Sequence, residues 1–122
     1  MKREDHAVLA GRALAALEQF SLPEDAPVLI EGSYVVAYHV LNGLMHKECA
    51  LPEDRHINSP AHSPLSLDNL PEAVRPVWQA FEDLQGLRIA YVWSPGTPSD
   101  DLQKRLEGLW QVFRAANQLS KN

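Results

Sequence analysis

The stretch EDAPVLIEGSYVVAYHVLNGLMHKE, residues 24–48, decides the fold. Apolar residues lie on almost every side of it over about 20 positions, which exceeds the usual length of a β-strand. Asp25 is placed to cap a helix, and Pro27 follows where its missing N–H costs little. A helix that is apolar all round lies at the centre of a bundle or beneath a partner. We therefore predict a long central helix here.

Three amphipathic segments flank this central helix. Their apolar residues recur at steps of three or four, which is the spacing of one helical face. They are predicted at about Asp5–Phe20, from Pro71 or Arg75 to Trp93, and from Thr97 to the C-terminal region. The links between the segments are short, except for the proline-rich irregular loop at about 49–71. The pattern predicts an all-α, antiparallel up-and-down four-helix bundle, formed as a single domain over residues 1–122 with a long loop between helices two and three.

Composition narrows the class of protein. The chain has 122 residues, of which 45% are hydrophobic and 22% charged, so one folded domain is expected rather than a disordered chain. The net charge of −5 argues against a broad electrostatic grip on nucleic acid. The single cysteine excludes an intrachain disulfide and a four-cysteine zinc site, and favours a cytoplasmic location. We expect no signal peptide and no membrane span, because no uninterrupted apolar run approaches about 18 residues.

The apolar surface of the second helix bears on oligomeric state. A helix that is apolar on nearly every side has more apolar surface than we expect three partner helices to cover. Exposed apolar area of this kind favours association, so the sequence predicts a homodimer.

Two stretches of the chain, residues 33–45 and 84–91, carry a resemblance to a known family. Residues 33–45, SYVVAYHVLNGLM, combine a Tyr, an Ala and an aromatic–His pair with small and apolar residues after them. This pattern resembles that of the HEPN family of helical proteins. Residues 84–91, LQGLRIAY, are similar to the family's L-x-x-L-R-x-x-A-x-Y stretch. His62 stands in the loop, where such proteins often place a histidine. The resemblance covers roughly residues 5–119.

The resemblance implies a bundle that is often dimeric and acts as a binding module or as an RNase toxin beside a nucleotidyltransferase partner. Nuclease members carry an Arg, four to six residues, and then a His; six residues separate Arg55 from His62. In that role His62 moves a proton to or from the attacking 2′-hydroxyl or the leaving oxygen, and Arg55 stabilises charge on the phosphate. Pro60 lies inside this spacing and departs from the helical placement of the pair in the family.

A second group of residues has ligand types that suit Zn²⁺. His46 and Cys49 are three residues apart near the end of the second helix, so their side chains can point together. His56 and His62 in the loop would complete a tetrahedral set. The alternative is a buried free cysteine with surface histidines at a helix C-terminus, where the helix dipole favours imidazolium.

A third group predicts a polar pocket between helices. His39 stands in the most apolar helix, and His46, seven residues on, projects from nearly the same face. Tyr34, Tyr38 and Arg88 are expected beside His39, since bundle sites form from inward polar groups. The alternative is a core histidine with its hydrogen bonds satisfied.

The sequence leaves three functions open. A non-catalytic binding or partner-interaction module, without a cofactor, is the preferred one. The first alternative is a metal-independent RNase that acts through Arg55 and His62. The second is a zinc-binding bundle with ligands His46, Cys49, His56 and His62.

Overall fold

The computed structural model describes residues 1–60 and 69–121. Within these residues the helices are α1 Arg3–Leu17, α2 Ala26–Lys47, α3 Arg75–Tyr91 and α4 Asp101–Lys121, with a 3₁₀ turn at Glu72–Val74 before α3. The predicted all-α four-helix architecture is confirmed, and the long connection lies between α2 and the 3₁₀ turn as expected.

Two close contacts give the direction of α2 relative to α1. Leu17, at the end of α1, lies next to Gly32 near the start of α2, whereas His6, near the start of α1, lies next to Gly43 further along α2. The two helices are therefore antiparallel. The absence of a side chain at Gly43 allows close approach, because a Cβ there would lie 3.3 Å from the Cβ of His6.

Helix α2 lies at the centre of the bundle and contacts α1, α3 and α4. Trp110 of α4 donates a hydrogen bond of 2.8 Å to Ser33 Oγ, which in turn donates one of 2.6 Å to the carbonyl of Leu29. Burial is not complete around α2, since Val28 and Val35 remain 46% and 47% exposed. Part of α2 is thus left uncovered by the other helices, and the homodimer stays a prediction.

By length and composition alone, α2 is the one helix in the described part of the chain that could cross a membrane. Most of its apolar segment is buried against the other helices, and the central helix of a bundle passes the same test. Our expectation of no membrane span stays a prediction.

The start of α4 differs from the sequence prediction. Thr97 and Pro98 precede the helix, which begins at Asp101. The chain first has to reverse after α3, and the Gly96 N–H donates a hydrogen bond of 3.2 Å back to the carbonyl of Ala90. Residues 97–100 complete this return, and α4 begins only after them.

Candidate metal centre

Four histidines meet at one end of the bundle. His6 comes from α1, His39 and His46 come from α2, and His56 comes from the segment that follows α2. The ring centroid of His6 lies 5.2 Å from those of His39 and His46 and 5.0 Å from that of His56. His6 is thus the centre of the cluster, which we call the histidine cluster.

The apolar face of α1 carries His6 into the protein. His6, Ala10, Leu14 and Leu17 are buried and follow one another at steps of four, four and three residues, which places them on one side of a helix. The imidazole of His6 is 0% exposed. The sequence analysis considers only the apolar residues of this segment and therefore misses the buried histidine on the same face.

A polar stripe on α2 supplies two further histidines and an amide. His39, Asn42 and His46 follow at intervals of three and four residues, and Asn42 is 0% exposed. The predicted shared face of His39 and His46 is confirmed, since both rings lie beside His6.

Asn42 holds the segment after α2 against the bundle. Its Oδ1 accepts a hydrogen bond of 2.8 Å from the N–H of Ile57, and its Nδ2 donates to the carbonyls of Ile57 at 3.0 Å and Tyr38 at 2.8 Å. Ile57 is buried with 1% exposure. These bonds place the preceding residue, His56, at the cluster.

Two close nitrogen pairs connect three of the rings. His6 Nδ1 lies 2.9 Å from His39 Nδ1, and His6 Nε2 lies 3.1 Å from His56 Nε2. Each pair is a hydrogen bond only when one of its two nitrogens carries the proton. Both ring nitrogens of His6 are therefore directed at other imidazoles.

His46 presents a free nitrogen. Its Nδ1 donates a hydrogen bond of 3.0 Å to the carbonyl of Leu51, so the proton is on Nδ1 and Nε2 has a lone pair. That Nε2 is buried and makes no hydrogen bond to any part of the chain that the structure describes. One ring nitrogen each of His6, His46 and His56 lies within 4.8 Å of the others.

Burial favours the neutral form of three histidines in the cluster. Burial is the largest cause, and together with the charges of the neighbouring histidines and the N-terminal ammonium it lowers the pKa of His6 to about 3. Burial also lowers the pKa values of His39 and His56. Neutral imidazole is the form that binds metal ions, so no proton has to leave these rings near pH 7.

The zinc set predicted from the sequence is partly assembled. His46 and His56 come together, but Cys49 is exposed and is not in the three-histidine group. Helix α2 ends at Lys47, and Cys49 has a φ of 57° in the turn that follows. The i, i+3 argument assumes a continuing helix, and the left-handed residue turns the chain out of it. His62 lies outside the described residues.

The predicted polar pocket divides into two separate groups. Tyr38 lies beside His39 in the histidine cluster, with ring centroids 5.0 Å apart. Tyr34 instead contacts Arg88, whose guanidinium carbon is 4.0 Å from the centre of its ring. Arg88 also forms an ion pair of 2.7 Å with Glu31. The Arg88 guanidinium of α3 therefore binds side chains of α2 and does not face the histidine cluster.

The predicted nuclease pair is described only in part. Arg55 is exposed, and its N–H donates a hydrogen bond of 3.0 Å to the carbonyl of Pro52. Its predicted partner His62 lies outside the described residues, so the pair stays a prediction.

Comparisons with protein-family models, with curated proteins and with solved structures find no match for this chain. The resemblance to HEPN proteins stays a prediction, and function has to be argued from the histidine cluster.

Proposed function

We propose that this protein binds a divalent transition-metal ion through His6, His46 and His56. The observation that carries the proposal is the lone pair of His46 Nε2, which is buried beside two other imidazoles with no described hydrogen-bond partner. An unsatisfied buried nitrogen costs about 1–3 kcal/mol, and a metal ion supplies the missing partner.

The spacing of the nitrogens supports this proposal. Zn–N bonds of about 2.0–2.1 Å at tetrahedral angles place ligand nitrogens about 3.3 Å apart. His6 Nε2 and His56 Nε2 are 3.1 Å apart. The widest separation in the group, at most 4.8 Å, has to contract by about 1.5 Å, which side-chain rotation can provide.

The ligand type selects the class of metal. Imidazole nitrogens suit Zn²⁺, Cu²⁺, Ni²⁺ and Co²⁺, whereas Mg²⁺ and Ca²⁺ require oxygen ligands. Imidazole ligands bind in their neutral form, so they leave the full charge of the ion in place. Zinc remains the metal of choice, as in the sequence prediction, with His6 replacing Cys49.

Zinc titration of the chelator-treated protein tests the proposal. We expect one Zn²⁺ per chain with a Kd below about 1 µM in competition with a chromophoric chelator. Co²⁺ in the same site should give the visible absorption of a nitrogen-coordinated ion. A Kd above about 100 µM would overturn the proposal, and so would binding of several Zn²⁺ ions per chain at exposed residues with no single tight site.

Matched variants locate the site. His56→Gln removes a ligand from a half-buried position, where folding is disturbed least, and should weaken binding at least tenfold. His46→Gln should do the same if the variant remains folded by circular dichroism. Cys49→Ser is the control, since its exposed thiol lies outside the three-histidine group, and its affinity should equal that of the wild type. Equal loss in Cys49→Ser would restore the original zinc set.

The other predicted functions are independent of this site. RNase activity through Arg55 and His62, and a partner-interaction module with a second copy, RNA or a nucleotidyltransferase, remain predictions. An RNA-cleavage assay with His62→Ala as control tests the first, and native mass spectrometry tests the oligomeric state and reads bound metal in the same spectrum.

A further inference from the structure

The roles of the four clustered histidines are not equal. His6, His46 and His56 each bring a ring nitrogen into the common group, and His39 does not belong to it. The Nδ1 of His39 is instead 2.9 Å from Nδ1 of His6. His39 therefore contacts the proposed metal ligand His6 and is not itself part of the three-histidine group.

We infer that His39 is a positioning residue that fixes His6 with Nε2 free for the metal. The inference rests on the proposed metal function. If Nε2 of His6 binds the ion, its proton must be on Nδ1. Among the described residues, that nitrogen has its hydrogen-bond partner in His39 Nδ1, which then accepts the hydrogen bond and keeps its own proton on Nε2.

The same arrangement is already present at His46. There the Nδ1–H donates to the carbonyl of Leu51 at 3.0 Å and leaves Nε2 free. Metal-binding histidines generally donate their other N–H to such an acceptor, which sets the tautomer and holds the ring. Leu51 supplies a backbone acceptor for one ligand, and His39 supplies a side-chain acceptor for another.

The surroundings of His39 restrict its ring. Tyr38 lies edge-on to it, with ring centroids 5.0 Å apart, and the same tyrosine ring lies 6.0 Å from His6. The His39 ring is thus confined between its neighbour along α2 and the ligand on α1. A restrained acceptor holds the donor ring better than a mobile one.

Three variants of His39 distinguish its role as a hydrogen-bond acceptor for His6 from its role in filling space. In His39→Leu the acceptor is lost. In His39→Asn an amide oxygen can replace Nδ1, whereas in His39→Gln the amide stands nearer to the place of Nε2 and serves as the matched polar control. We expect the Kd for Zn²⁺ to rise about 10–100-fold in the Leu and Gln variants and to stay within about threefold in the Asn variant.

A spectroscopic signature accompanies the affinity. In zinc-loaded wild type and His39→Asn, the His6 Nδ1–H should give a downfield proton resonance that exchanges slowly with water. This resonance should be lost in His39→Leu, a change that a purely structural role would not produce.

The outcomes distinguish the two proposals. If wild type binds no zinc, the metal function fails and this inference fails with it. If wild type binds zinc but the Asn and Gln variants have equal affinity, the metal function stands and the role of His39 is overturned. The Asn–Gln pair decides the matter even if His39→Leu does not fold.

Discussion

Acidification of the metal-free protein from pH 7 to pH 5 should remove about 2 kcal/mol of its free energy of unfolding through His6 alone. Burial and the surrounding histidines lower the pKa of this group to about 3 in the folded chain, against about 6.5 for an unfolded histidine. Below pH 6.5 the His6 imidazole therefore binds a proton in the unfolded chain but not in the folded chain, and the free energy of unfolding decreases as the pH falls.

The size of the loss follows from proton linkage. At pH 5 an unfolded histidine with a pKa of about 6.5 is almost fully protonated, and RT ln(1 + 10^1.5) is about 2 kcal/mol. The folded pKa has little influence on this value as long as it remains well below 5. The lowered pKa values of His39 and His56 act in the same direction.

The assay is urea unfolding at pH 7, 6 and 5 with a chelator present, followed by tryptophan fluorescence. His6→Leu removes the titrating ring and keeps the site apolar. The wild type should lose about 2 kcal/mol more than this variant between pH 7 and 5, because other groups titrate in both proteins. Parallel pH profiles of wild type and variant would refute the reasoning that His6 is held neutral by burial.

Four further single substitutions and one double variant probe the fold. Asn42→Ala should lower the free energy of unfolding in urea by about 3 kcal/mol and weaken zinc binding, because the buried N–H and C=O of Ile57 lose their partner. Unchanged stability would contradict the role of Asn42 in holding this segment against the bundle. Gly96→Ala should destabilise the protein by about 1–3 kcal/mol, since a Cβ there would overlap a carbonyl oxygen in the last turn of α3. Gly108 has open space around it, so Gly108→Ala should instead stabilise α4 by about 0.5–1 kcal/mol in the same assay. Arg88→Met should cost about 1–2 kcal/mol by losing its ion pair and ring stacking, and a double variant that also removes the acid partner on α2 should cost little more.

Local pattern predicts much of the helical structure. The apolar run of α2 and the stripes of the other helices are visible in the sequence, because helical faces repeat every three or four residues. The bounds are less accurate where the chain turns. Thr97 and Pro98 have the chemistry of a helix start, yet the return after α3 uses them before α4 begins at Asp101.

The two best predicted members of the cluster lie on a single helix. His39 and His46 are seven residues apart, and that interval alone places them on one face of α2. Cys49 shows the limit of the same argument, because it applies only up to the last helical residue, Lys47. Beyond that residue, a left-handed backbone conformation redirects the side chain.

The sequence by itself determines the four helices, the central position of α2 and the shared face of His39 and His46, because each follows from spacing within a single segment. Only the tertiary structure decides that His6 meets His39 across 33 residues and His56 across 50. These contacts depend on the register between α1 and α2, which pack closely at Gly43. They also depend on the hydrogen bonds of Asn42 to Ile57. Both involve contacts between segments that are far apart in the sequence, and the spacing of residues within one segment does not predict such contacts.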